Sequence, residues 1–350
     1  MNKKSKQSTG IVRLSSLGTV LLLFSLIFVS SFMASFIQSS GGMVDIQTIK
    51  FPTQNGQLLV GDLFKPKSAT RENPAPLVIV IPGFQRSKET LSNISIELSR
   101  RGIVVIAIDP YAQGFSSSSM SKTSATSEGY GMYAIVDYIY NTSNLNYVDK
   151  NRIAATGHSA GGLAAVRGAQ YFGKQSKANN TKSKLHSAYI SGMLYRGLEE
   201  KNLGFIRSNI GLSYVFYDEG AFRNINANGD MRYAPEEIGL VNSGMKQSEK
   251  IIDSLSIGRY YGTLEDRSLR IVHNERLLHP FQPYSPEATK NQLNFFNKVF
   301  KANKRIQLKM PDDFKKFFSA SKLIHHRLNP GSIARCSTIR FSWSFNSPRS

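Results

Sequence analysis

Short buried strands alternating with amphipathic helices predict an α/β fold, a mostly parallel sheet with helices on both faces. Three observations carry the expectation. PLVIVIPG at 76–83 and IVVIAID at 103–109 are continuous apolar runs, as strands covered on both faces require. The segment between them, 87–102, sets Leu91, Ile94 and Leu98 on one helical stripe. TGHSAGG at 156–162 puts a glycine-framed serine between a strand pattern and a helix pattern.

The chain opens with a polar, basic stretch, residues 1–13, and then twenty uncharged residues at 18–37, GTVLLLFSLIFVSSFMASFI. That length spans a bilayer as a helix. Lys3, Lys4, Lys6 and Arg13 precede it, and no acidic residue occurs before Asp45. This asymmetry predicts a cytoplasmic N-terminus and residues 45 onward outside, in a single-pass protein of the cell membrane. VSS at 29–31 lies inside the apolar run and no clean A-x-A follows. The segment therefore reads as a retained signal-anchor.

Further elements follow in order. Arg100 and Arg101 suit the end of the 87–102 helix, and Gly102 its cap. A serine-rich loop at 114–127 precedes a helix at 129–141. Residues 152–162 are a strand running into the serine motif, 163–173 a helix of small residues closed by Gly173, and 174–184 a solvated loop. Strands are predicted at 185–192, 211–219 and 269–275. A last helix spans 285–300, with Ser285 as N-cap, Pro286 at its first position, and Leu293, Phe296 and Phe300 on its buried stripe. The expected division is a basic stub and anchor at 1–41, a folded domain at 45–310, and a basic Ser/Arg-rich tail at 311–350, disordered or truncated.

Of the net charge of +20, residues 1–44 contribute +4 and 301–350 contribute +9, so the middle is only mildly basic. No nucleic-acid motif accompanies it, and nucleic acid is not an expected partner. The single cysteine, Cys336, allows no intramolecular disulfide, and no Cys/His cluster has zinc-site spacing. NINANGDMRYAPEE at 224–237 has calcium-loop spacing, but its ligand positions are largely neutral and the twelfth is Pro235. No metal and no cofactor is expected.

The chemistry-bearing residues fall at strand ends. Gly157-His158-Ser159-Ala160-Gly161 follows a strand and opens a helix, the context of a nucleophile elbow. The helix start offers N–H groups to a developing oxyanion. IPGFQ at 81–85 ends an earlier strand, where the Phe84 N–H can pair with that of Ala160. Asp218 lies just past a strand end, with Glu219 its neighbouring rival. Of six histidines, His273 falls within a strand and His158 beside the serine, pointing the other way; His279 falls in the loop after the last strand.

Over residues 45–300 these features resemble the α/β-hydrolase fold, and more closely its bacterial membrane-anchored serine hydrolases and esterases. The order Ser159, Asp218, His279 follows that family's order of nucleophile, acid and base. The resemblance implies ester hydrolysis through an acyl-enzyme. Ser159 would attack, His279 carry the proton, Asp218 hold His279, and Phe84 and Ala160 bind the oxyanion. The expected substrate is a small-molecule or lipid ester, and the expected membrane contact is the N-terminal helix. A serine peptidase on the same fold and a non-catalytic binding protein are the alternatives. PGF replaces the family's commoner histidine-glycine start. The short 193–210 segment leaves residues 220–268 as the expected cover of the pocket.

Overall fold

The computed structural model describes residues 15–53, 56–118, 127–194, 198–245 and 251–302. The basic stub and the 311–350 tail lie outside the described residues. The helices are α1 (Ser16–Gln38), α2 (Ser92–Ser99), α3 (Met132–Asn141), α4 (Ala160–Ala178), α5 (Glu200–Leu203), α6 (Pro235–Asn242) and α7 (Pro286–Phe300). The strands are β1 (Val44–Pro52), β2 (Leu58–Pro66), β3 (Ala75–Ile81), β4 (Val104–Ile108), β5 (Val148–His158), β6 (Ser187–Ser191), β7 (Asn209–Ser213), β8 (Tyr260–Tyr261) and β9 (Arg270–His273).

All nine strands form one sheet in the order β1-β2-β4-β3-β5-β6-β7-β9-β8. Pairing is parallel from β4 through β9 and antiparallel at β1–β2, β2–β4 and β8–β9. The alternation inside the central strands sorts the core into two layers. Leu77, Ile79 and Ile81 pack with residues of α3 and α4 on one face. Val78 and Val80 pack with Leu91, Ile94 and Leu98 from the α2 region and with Phe295, Phe296 and Phe300 of α7 on the other. The order reverses between β3 and β5, since β3 leads to β4 on one side while β5 lies on the other. Ligands of open α/β sheets gather at the carboxyl ends of strands at such a switch point.

Several boundaries differ from expectation. β1 and β2 form an antiparallel hairpin that the sequence reading passed over. The 87–102 segment starts as a 3₁₀ turn, Lys88–Leu91, before α2. Gly173 does not end a helix, because α4 continues to Ala178. That glycine exists for packing: a Cβ there would overlap the Phe205 carbonyl oxygen. β7 stops at Ser213, earlier than predicted; Tyr214 and Val215 beyond it stay buried, and the Tyr214 N–H still donates to the His273 carbonyl at 3.1 Å.

α1 contains the whole uncharged run, and it is the one described helix long and apolar enough to cross a membrane. None of its residues is buried. Its last turn meets the domain at Arg100, whose Nη2 donates to the Ile37 carbonyl at 2.6 Å and whose Nε donates to Ser40 Oγ at 3.0 Å.

Candidate active site

β5 ends at His158, and Ser159 turns the chain into α4 with φ +57° and ψ −118°. A non-glycine residue in that region is strained and persists only where its surroundings hold it. Here the Ser159 N–H donates to the Ser191 carbonyl at 2.8 Å. Gly157 and Gly161 let the β3 and β5 backbones close around the turn, since a Cβ on either would collide with the Ile81 carbonyl oxygen. The result is a serine raised at the switch point, at the start of a helix of 19 residues.

The loop after β3 lies against this turn; a Cβ built on Gly83 would stand 3.4 Å from Ser159 Cβ. Asp109, fully buried at the end of β4, holds that loop. It accepts from the Lys88 N–H at 2.9 Å and from Lys88 Nζ at 3.3 Å. Burial alone would lower the Lys88 pKa, but hydrogen bonding to Glu89 and the charges of Asp109 and Asp62 outweigh it and raise it. Gln113 Oε1 accepts from the Arg86 N–H at 3.0 Å. Neither the Phe84 N–H nor the Ala160 N–H donates to a described residue, so both are free for a ligand.

Asp218 follows β7 and His279 opens the 3₁₀ turn His279–Tyr284 after β9. Asp218 Oδ2 and His279 Nδ1 are 2.7 Å apart, while Gly220 N–H donates to Asp218 Oδ1 at 2.7 Å. Burial raises the Asp218 pKa, but the hydrogen bond and charge of His279, with donors from Gly220 and Tyr214, win and hold it below the ordinary carboxylate value. Glu219 is exposed. Ser159, His279, Gly83 and Phe84 line one cleft of about 160 Å³, with Arg86 and Tyr284 at its sides. The Ser159 hydroxyl makes no direct hydrogen bond to His279, although both side chains line the same cleft.

His158 corrects its predicted direction. Its ring packs on that of His279, centroid to centroid 4.6 Å, and lines the same cleft. Burial, then the nearby His279 charge, push its pKa down to about 3, so it is a neutral wall of the site. His273 is buried and paired with the Tyr189 hydroxyl at 3.1 Å, away from the cleft. Among the described residues none from 220–268 lines the cleft. The calcium-like loop spends its side chains internally. Asn228 Oδ1 accepts from the Asp230 N–H, and Asp230 is gripped by Arg232.

Sequence reasoning missed the support under His279. Gln282, buried in the same 3₁₀ turn, donates through Nε2 to Ser213 Oγ at 2.6 Å. Ser213 donates to Glu275 Oε2 at 2.6 Å, and Asn291 Nδ2 donates to Glu275 Oε1 at 2.8 Å. The chain thus ties the His279 turn to β7, β9 and α7. Nothing local in the sequence signals these long-range polar pairs.

A family model described as PET hydrolase-like matches residues 31–183. The match takes in Phe84, Ser159 and Ala160 and ends before Asp218 and His279. No curated protein matches the chain. Among solved structures, a Pyrococcus furiosus esterase is similar at 14% identity and TM-score 0.48, over 73% of this chain and 93% of that one. A Pyrobaculum calidifontis esterase is similar at 16% identity and TM-score 0.46, over 83% and 99%. A dienelactone hydrolase-like phosphotriesterase from metagenomic libraries is similar at 14% identity and TM-score 0.48, over 74% and 100%. The chain has the α/β-hydrolase fold. Family match and fold together support a hydrolase of the esterase kind.

Proposed function

We propose that the protein is a membrane-anchored serine hydrolase of carboxylic esters, with Ser159 as nucleophile, His279 as base and Asp218 as its orienting acid. The observation that carries the reading is the 2.7 Å Asp218–His279 pair sharing a cleft with a serine on a strained strand-to-helix turn. Asp218 keeps the Nδ1–H of His279 turned inward, which leaves Nε2 to take the Ser159 proton. Ser159 Oγ adds to the ester carbonyl, and the free N–H groups of Phe84 and Ala160 receive the negative oxygen. Collapse expels the alcohol, which takes its proton from His279. Water, deprotonated by His279, then attacks the acyl-enzyme, and Ser159 recovers its proton as the acid leaves.

The neutral His158 ring beside His279 gives the imidazolium no second positive neighbour on that side. The PET hydrolase-like match favours a carboxylic ester as substrate. The anchor is α1, about 34 Å long at 1.5 Å per residue, enough to cross the hydrocarbon core. The basic residues before it favour a catalytic domain outside the cytoplasm. The test is labelling of the full-length protein with a fluorophosphonate probe. Wild type should label and a folded Ser159→Ala variant should not. Equal ester turnover by the two would reject Ser159 as the nucleophile, and absence of both labelling and turnover in wild type would leave a non-catalytic binding protein.

A further inference from the structure

The two ends of the sheet have different neighbours. The cleft stands at the carboxyl ends of β3, β5, β7 and β9, where Ser159, Asp218 and His279 follow their strands. α1 joins the opposite edge. β1 begins there, because Val44 pairs with Pro66 at the far end of β2, and β2 runs antiparallel to β4. The Lys67 N–H donates to the Met43 carbonyl at 2.9 Å at this edge. Arg100, at the end of α2 and just before β4 begins, grips Ile37 and Ser40. Arg100 and Ser40 are buried, so the junction is packed and is no loose tether. Beyond it none of the residues of α1 is buried, and most of its large apolar side chains are exposed.

Resting on the proposed anchor and hydrolase readings, we infer that the domain stands with the amino edge of its sheet on the bilayer and its cleft turned away. It therefore takes apolar esters presented from outside and not the lipids of the membrane that holds it. The nine residues of β1 separate the two edges by about 27 Å at 3.4 Å per residue. Exposed Lys67 and Arg71 sit beside the junction, suited to phospholipid headgroups. The rim of the cleft carries exposed aromatic rings, Phe84 at 67% and Tyr284 at 60%, beside Arg86. Aromatic rings at a mouth commonly dip into an interface. These stand on the wrong edge to reach their own bilayer, which leaves the apolar ester as the occupant that covers them.

The test uses full-length protein in liposomes on a Cys336→Ser background, with a fluorophore at Glu72→Cys beside the anchored edge or at Asn226→Cys in the segment that follows the carboxyl end of β7. Energy transfer to an acceptor on lipid headgroups should be strong from position 72 and at least several-fold weaker from position 226. Equal transfer, or the reverse order, overturns the orientation. A fluorogenic triacylglycerol is then placed either in the protein's own vesicles or in protein-free vesicles mixed with them. Hydrolysis in its own vesicles should be no faster than in the added ones; a tenfold preference for its own overturns the proposal. Failure to float with liposomes overturns the anchor and this proposal with it. Absent fluorophosphonate labelling with the transfer pattern intact rejects only the hydrolase reading, and the orientation stands.

Discussion

Asp218 and His279 meet at 2.7 Å across a sequence separation of 61 residues, each from a turn that follows a different strand. Because β7 and β9 are parallel neighbours, both turns emerge at the same edge, and a short side chain from each suffices to close the gap. Glu219 points to solvent from the same turn.

Asp218→Asn should lower kcat by about four orders of magnitude, through loss of the correct His279 tautomer, while Glu219→Gln stays within about threefold. Steady-state hydrolysis of a soluble ester distinguishes the two. A severe Glu219→Gln would reassign the acid.

The same carboxylate sets an acid limb of stability. Its pKa is depressed in the fold. The stability it contributes is therefore complete above the unfolded carboxylate value of about 3.9, and is lost as pH falls through the lower folded value. In urea titrations, the advantage of wild type over Asp218→Asn should be constant near neutrality and shrink below about pH 4. An advantage independent of pH would show that the ionised carboxylate is not what stabilises.

Gln282→Ala removes the donor to Ser213 and frees the His279 turn. Loss of a buried hydrogen bond costs about 1–3 kcal/mol. We expect a fall in kcat of roughly tenfold with KM little changed, since the substrate walls stay in place. A changed KM with kcat intact would mean that Gln282 shapes the pocket instead.

Gly161→Ala forces a methyl group into the Ile81 and Pro82 carbonyls. Overpacking of this kind costs about 1–3 kcal/mol. Because the strain falls on the serine turn, fluorophosphonate labelling should be lost while circular dichroism still reports the fold. Full labelling would show that the turn relaxes without displacing Ser159.

Glu237 offers a prediction of opposite sign. It is wholly buried in α6, with both carboxylate oxygens unpartnered. Burial first, then the neighbouring Glu236 charge, raise its pKa well above normal. A raised carboxyl binds its proton more tightly in the fold, so its stability contribution falls as pH rises from the unfolded value of about 4.3 toward the folded one. Glu237→Gln, a mimic of the protonated form, should melt higher than wild type near pH 7, by a margin that closes toward pH 4. An unchanged melting temperature across that range would refute the buried-charge cost.

The sequence made some of this fold legible and hid the rest for identifiable reasons. β3, β4 and β5 are covered on both faces, so their apolar runs announce them. β1 is an edge strand exposed on both faces over most of its length, and Asp45, Gln47, Thr48 and Lys50 leave it no apolar run and no clean alternation. Gly173 looks like a helix end because glycine disfavours helices, yet tertiary contact with Phe205 demands it in mid-helix. At the candidate site, Ser159 was readable from its local motif. Asp218 was the expected partner of His279, and setting it apart from Glu219 needed coordinates, because a carboxylate's reach is decided by where two distant turns emerge. His158 was misread because alternation along a strand stops applying at the residue where β5 gives way to the serine turn.

The β1–β2 hairpin also bears on mechanics. With α1 proposed as the anchor, force transmitted along it enters the domain at the Arg100 contacts and at Val44, where it runs along β1 parallel to the strand axis. The antiparallel pairing from Val44–Pro66 to Pro52–Leu58 is then loaded in shear, with its rungs stretched together instead of unzipped one by one. Under the proposed anchoring, a load from flow or from a bulky substrate would thus fall where a two-stranded ribbon is hardest to peel.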